Sequence, residues 1–122
     1  MLKPMLKTVT VLVGVLGFAA LAEAHARLES AAPPVGGTVA TAPAQVAITF
    51  SEAVEPAFSA IEVTDATGQR VDRGKPRTAP GNGSVLIVDL PALPAGTYAV
   101  TWRAVSVDTH KTQGNYRFTV AP

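Results

Sequence analysis

Beyond position 25 the chain alternates apolar and polar residues with a period of two. Val46, Ile48 and Phe50 share one face of such a stretch, as do Ile61 and Val63, then Tyr98, Val100 and Trp102, then Tyr116, Phe118 and Val120. That period predicts half-buried antiparallel strands, because successive side chains of a strand leave on opposite faces. Residues 85–90 are apolar almost throughout, which predicts a central strand covered on both sides. Turn-forming residues separate these stretches: Pro33-Pro34-Val35-Gly36-Gly37, Ala66-Thr67-Gly68, Gly81-Asn82-Gly83 and Pro94-Ala95-Gly96. About seven short strands so spaced predict an all-β domain, a Greek-key β-sandwich or barrel. Phe50, Tyr98, Trp102, Tyr116 and Phe118 are its expected core aromatics.

The first 24 residues follow a different pattern. Lys3 and Lys7 precede an apolar run over 9–21, which closes on Ala22-Glu23-Ala24. A basic start, an apolar core too short to span a bilayer and a small-x-small ending together predict a secretory signal peptide over 1–24. Cleavage after Ala24 would leave one domain, 25–122, exported out of the cytoplasm and not itself spanning the membrane. Composition then changes the picture in two ways. Removing Lys3, Lys7 and Glu23 from ten basic and nine acidic residues leaves eight of each, so the exported domain is formally neutral. A neutral, exported domain lacks the positive field that nucleic-acid binding needs. The chain also has no cysteine, which excludes disulfides, thiolate metal sites and cysteine nucleophiles.

Most polar motifs have plain explanations. Residues 69–80, with Arg70, Arg73, Lys75 and Arg77, predict a solvated hairpin loop. Glu52 and Glu55 sit in Ser51-Glu52-Ala53-Val54-Glu55-Pro56, an exposed strand exit rather than an acid-base pair. Asn82-Gly83-Ser84 fits a glycosylation acceptor, but Asn-Gly is first a tight-turn signal.

The two histidines carry the functional signal. His25 would become the first residue of the processed chain, and His110 lies in Val107-Asp108-Thr109-His110. A terminal histidine offers its α-amine and Nδ1 to one ion in a six-membered chelate ring, whereas a peptide-bonded one offers only its imidazole. Asp108 and His110 are two apart, so on an extended strand they would leave from the same face. With His25 they make three nitrogens and one oxygen, a set that suits tetragonal Cu(II), with tetrahedral Zn(II) the competitor.

These residues resemble those of the CopC family of periplasmic copper-binding, copper-resistance proteins. The resemblance runs along the whole processed chain. It begins at His25-Ala26-Arg27-Leu28-Glu29-Ser30 and continues through Phe50-Ser51-Glu52-Ala53-Val54-Glu55-Pro56. It is most specific in Leu93-Pro94-Ala95-Gly96-Thr97-Tyr98-Ala99-Val100-Thr101-Trp102-Arg103, followed by Ser106-Val107-Asp108-Thr109-His110, Gly114 and Phe118-Thr119-Val120. It implies a small immunoglobulin-like or cupredoxin-like fold and a single Cu(II) site per chain. The implied ligands are the His25 amine and imidazole, the Asp108 carboxylate and the His110 imidazole. It also implies a monomeric carrier in copper homeostasis, working with a CopD-type inner-membrane copper transporter and turning over no substrate. Some members hold Cu(I) through methionines; here the only two are Met1 and Met5, both in the signal, which implies a Cu(II)-only member. Thr109 stands where relatives commonly have Gly, and Lys111 where Pro is frequent, so the site's geometry is in question there. Two other readings compete: a histidine-brace copper monooxygenase, whose members are longer, and a β-sandwich interaction domain holding no metal.

Overall fold

A computed structural model describes residues 25–122, and the expected signal peptide over 1–24 lies outside them. Eight strands form: β1 Leu28–Ala32, β2 Thr38–Val39, β3 Gln45–Phe50, β4 Ala60–Thr64, β5 Arg73–Ala79, β6 Asn82–Asp89, β7 Gly96–Val105 and β8 Lys111–Val120. They build two four-stranded sheets, ordered β1-β3-β6-β5 and β2-β8-β7-β4. Every pairing between these strands is antiparallel except that of β2 with β8. Connections repeatedly cross from one sheet to the other, as the Greek-key expectation requires.

The period-two faces meet between the sheets. Val46, Ile48 and Phe50 of β3, Ile61 and Val63 of β4, Tyr98, Val100 and Trp102 of β7, and Tyr116, Phe118 and Val120 of β8 are all buried. Trp102 meets Phe50 edge to face with ring centres 5.1 Å apart, and Tyr98 stacks on Phe118 at 5.5 Å. The Tyr98 hydroxyl donates to the Pro94 carbonyl at 2.6 Å, closing a tyrosine corner at the start of β7. The apolar run becomes β6, an inner strand on which Leu86, Ile87 and Val88 are buried in succession.

Two local expectations need correction. The segment expected as a solvated loop contributes an edge strand, β5, paired on one side to β6. Arg73, Lys75 and Arg77 alternate along it with Gly74, Pro76 and Thr78; charges and a proline suit a strand that must not recruit another. The turn joining β5 to β6 falls two residues earlier than Asn-Gly suggested, on Pro80 and Gly81: Gly81 takes the positive φ of 75°, and the Asn82 side chain accepts the Ser84 N–H at 3.0 Å. Asp72, another polar residue of the same region, is fixed inward. Its carboxylate accepts the Val63 N–H at 2.8 Å and pairs with Arg70 at 2.7 Å, with only 2% of the side chain exposed. Burial alone would raise its carboxyl pKa, but Arg70 and the Val63 amide outweigh that and hold it below the ordinary value.

Candidate metal centre

The longest hairpin of the fold sets up the site. β7 and β8 pair from Gly96↔Val120 to Val105↔Lys111, and the five residues from Ser106 to His110 reverse the chain. Asp108 and His110 therefore lie on a tight turn, not on the extended strand that their spacing suggested. Two backbone bonds close the turn: Ser106 N–H to the His110 carbonyl at 2.9 Å and Thr109 N–H to the Ser106 carbonyl at 2.8 Å. Closure forces Thr109 to φ 71°, the only positive φ of a non-glycine among the described residues. A β-branched side chain resists that region, so here the turn overrides the residue's own preference.

The turn brings the Asp108 carboxylate to the His110 ring, Oδ1 to Nδ1 at 3.2 Å. A hydrogen bond from the Ser106 hydroxyl, more than any other contact, holds the Asp108 carboxyl below its ordinary pKa; slight burial opposes it and His110 adds to it. A carboxylate that accepts from Nδ1 fixes the ring orientation and leaves Nε2 as the outward donor. Both side chains are about half exposed.

His25 arrives from the other sheet. Ala26 beside it is fully buried in the core, and β1 begins two residues later, so the chain is pinned immediately after His25. The Ser51 hydroxyl accepts the Arg27 N–H at 2.8 Å and reaches the His25 carbonyl at 3.4 Å. His25 and His110 then lie ring against ring, with centres 4.6 Å apart and planes tilted by 23°.

One short segment ties the two halves together. Ser51 holds the His25 end, the Ala53 carbonyl accepts the Val107 N–H at 3.1 Å, and Val54 bridges to Ser106. The sequence showed this stretch only as an exposed strand exit. Its backbone is the frame on which both histidines are placed, and nothing in its residue types signals that role.

Of the three residues expected to share an ion, His110 thus contacts both others. Among the described residues no three His, Asp or Glu side chains close into a ready-made ligand cluster. The two stacked imidazoles present nearly parallel ring planes, so convergence on one ion requires a side-chain rotation, which exposed groups can make at small cost. The donor chemistry fits Cu(II): the described residues supply nitrogen and oxygen, without thiolate or thioether.

A family model described as the CopC domain matches residues 28–121, starting three residues after His25. Copper resistance protein C of Escherichia coli is 41% identical over 113 residues, covering 87% of this chain and 89% of the relative. The crystal structure of CopC from Methylosinus trichosporium OB3b superposes with a TM-score of 0.75 at 37% identity, covering 80% of this chain and 95% of that one. Copper transport protein CutJ of Bacillus subtilis is 37% identical over 98 residues; these are 80% of this chain but only 18% of CutJ.

Proposed function

The chain belongs to the CopC family, and on that premise we propose that it is a periplasmic copper carrier that takes up one Cu(II) ion per chain as cargo. Trimmed so that His25 leads it, the protein binds through the His25 amine and imidazole, the Asp108 carboxylate and the His110 imidazole. The observation that carries this reading is the stacking of the two histidine rings at 4.6 Å, with Asp108 set on the second of them. Two residues 85 positions apart, and the only histidines in the chain, meet at one point on the surface.

Each donor has a distinct part. The His25 amine and ring form a chelate, which lowers the entropic cost of capture. Asp108 supplies negative charge, and its Oδ1 contacts leave Oδ2 for the ion. His110 completes the set from the opposite sheet, so the loaded ion cross-links the two halves of the sandwich. A site on an exposed turn suits release as well as capture, which favours a carrier over an enzyme. The chain's relatives are copper resistance and copper transport proteins. That a similar segment forms a minor part of the longer copper transport protein CutJ supports a role beside copper transport, and a CopD-type membrane transporter is the recipient we propose.

The test is Cu(II) titration of protein beginning at His25 against protein carrying one added alanine ahead of it. Loss of the amine donor is expected to weaken binding by about 100-fold or more. Equal affinities would remove the proposed coordination. In an ascorbate-driven assay on polysaccharide, the loaded protein is expected to release no oxidised product; release would favour the monooxygenase reading.

A further inference from the structure

Two of the three residues proposed to hold copper, Asp108 and His110, stand on an exposed turn, yet the residue at its base is completely buried. Ser106 has no accessible surface, although the three residues that follow it are exposed. Its hydroxyl donates to Asp108 Oδ1 and accepts the His110 N–H at 3.1 Å. Its own N–H donates to the His110 carbonyl at 2.9 Å, and its carbonyl accepts the Thr109 N–H at 2.8 Å. A backbone bridge to Val54 fixes it to the segment that also carries the His25 end. One buried residue thus contacts every other residue of the turn except Val107, and it touches two of the three proposed ligand residues, Asp108 and His110, through a single oxygen.

We infer that Ser106 is the positioning residue of the proposed copper site: its hydroxyl presets the Asp108 carboxylate and the His110 backbone before the ion arrives, leaving ring rotation as the remaining adjustment of His110. The inference rests on the copper-carrier reading above and adds to it the group that organises the ligands. The physical ground is preorganisation. An exposed aspartate otherwise samples several rotamers, and binding must freeze one; a donor bound at Oδ1 has already done so and leaves Oδ2 for the metal. The hydroxyl has one proton, and the carboxylate is the stronger acceptor, so the more distant His110 carbonyl at 3.3 Å does not compete for it. Ser106 itself is no candidate ligand, because its oxygen is enclosed and already engaged as donor and acceptor.

The experiment compares Ser106→Ala and Ser106→Thr with the parent, all beginning at His25, by Cu(II) titration and by electron paramagnetic resonance of the loaded proteins. Ser106→Ala is expected to lower Cu(II) affinity by about 10–100-fold, the usual range for removing an outer partner of a metal ligand, and to alter the copper hyperfine pattern. Ser106→Thr keeps the hydroxyl and is expected to stay within about threefold of the parent. Repeating Ser106→Ala in an Asp108→Ala background separates positioning from general damage, since a residue acting through Asp108 loses most of its effect once Asp108 is gone. A parent that binds no Cu(II) would sink the carrier reading itself. A parent that binds with Ser106→Ala equal to it, a folded Ser106→Thr that fails to bind, or an undiminished effect in the Asp108→Ala background would overturn this inference alone.

Discussion

Replacing Gly114 by alanine perturbs one contact whose geometry can be read directly. Gly114 on β8 lies opposite Trp102 on β7. A Cβ added at Gly114 would stand 2.7 Å from Trp102 Cζ2, 2.9 Å from Cε2 and 3.1 Å from Nε1. Carbon atoms in contact prefer about 3.5–4.0 Å, so the indole must retreat by roughly 1 Å. It has little room to do so, being 7% exposed and held edge to face against Phe50 at 5.1 Å. Overpacking of this kind costs about 1–3 kcal/mol, while alanine recovers about 0.5–1 kcal/mol of the conformational entropy that glycine loses in a strand. The net expectation is a loss of about 1–2 kcal/mol, a fall in Tm of roughly 5–15 °C for a domain of this size. Trp102 is the only tryptophan, so its fluorescence and near-ultraviolet circular dichroism report the displaced ring during the same melt. Gly83→Ala is the matched control, because its Cβ would meet only Ala53 Cβ at an ordinary 3.6 Å. A Gly114→Ala protein with unchanged tryptophan spectra and a Tm within about 2 °C of the parent would refute the steric argument.

Two further predictions concern strained or unsatisfied groups. The Tyr116 hydroxyl is buried without a hydrogen-bond partner, and burial pushes its pKa up to about 12. Between pH 10 and 12 the unfolded chain would shed this proton while the native one keeps it, so stability should fall as pH rises through that window. Tyr116→Phe is expected to abolish that alkaline loss and to leave neutral-pH stability equal or raised by about 1 kcal/mol, checked by urea unfolding at pH 7 and pH 11. A destabilised Tyr116→Phe would mean that the hydroxyl has a partner. Thr109→Gly relieves a left-handed conformation costing a β-branched residue about 1–2 kcal/mol, against about 0.5–1 kcal/mol of added chain entropy. The exposed Thr109 hydroxyl bond to the Asp108 carbonyl at 2.5 Å is lost as well, so the expected gain is only a few degrees in Tm. A lower Tm would show that the side chain anchors the turn more than it strains it.

The layering of the fold was legible because burial in a sandwich follows the strand period. Every apolar face named from alternation points into the core, and the continuous apolar run is the inner strand β6. Alternation is uninformative where neither face is apolar, which is why β5 passes for a loop: its ladder to β6 is made by backbone groups that any residue carries. The role of Gly114 was equally hidden. A glycine inside a strand signals a close approach without saying by what, and Trp102 comes from a strand twelve residues away.

The site divides along the same line. Side-chain chemistry pointed to His25, Asp108 and His110, since the chain has only two histidines and one of them has a carboxylate two residues away. What positions them is backbone. Five residues between the β7–β8 ladder ends cannot reverse the chain and stay extended, so Asp108 and His110 meet across a turn closed at Thr109, and no strand face is involved. The partner on the other sheet is set by Ala26, whose burial fixes where His25 emerges, and by the 51–55 segment, which contacts both ends of the site. None of these supports is a metal-binding residue type, and each works through a carbonyl, an amide or a small hydroxyl. On the proposed coordination, copper binding can therefore be altered in two separable ways. Changes at His25, Asp108 or His110 remove a donor and should abolish or reshape coordination. Changes at Ser51 or Ser106 leave every donor in place and should act on the free energy of assembling them, appearing as weaker binding with the same number of ligands.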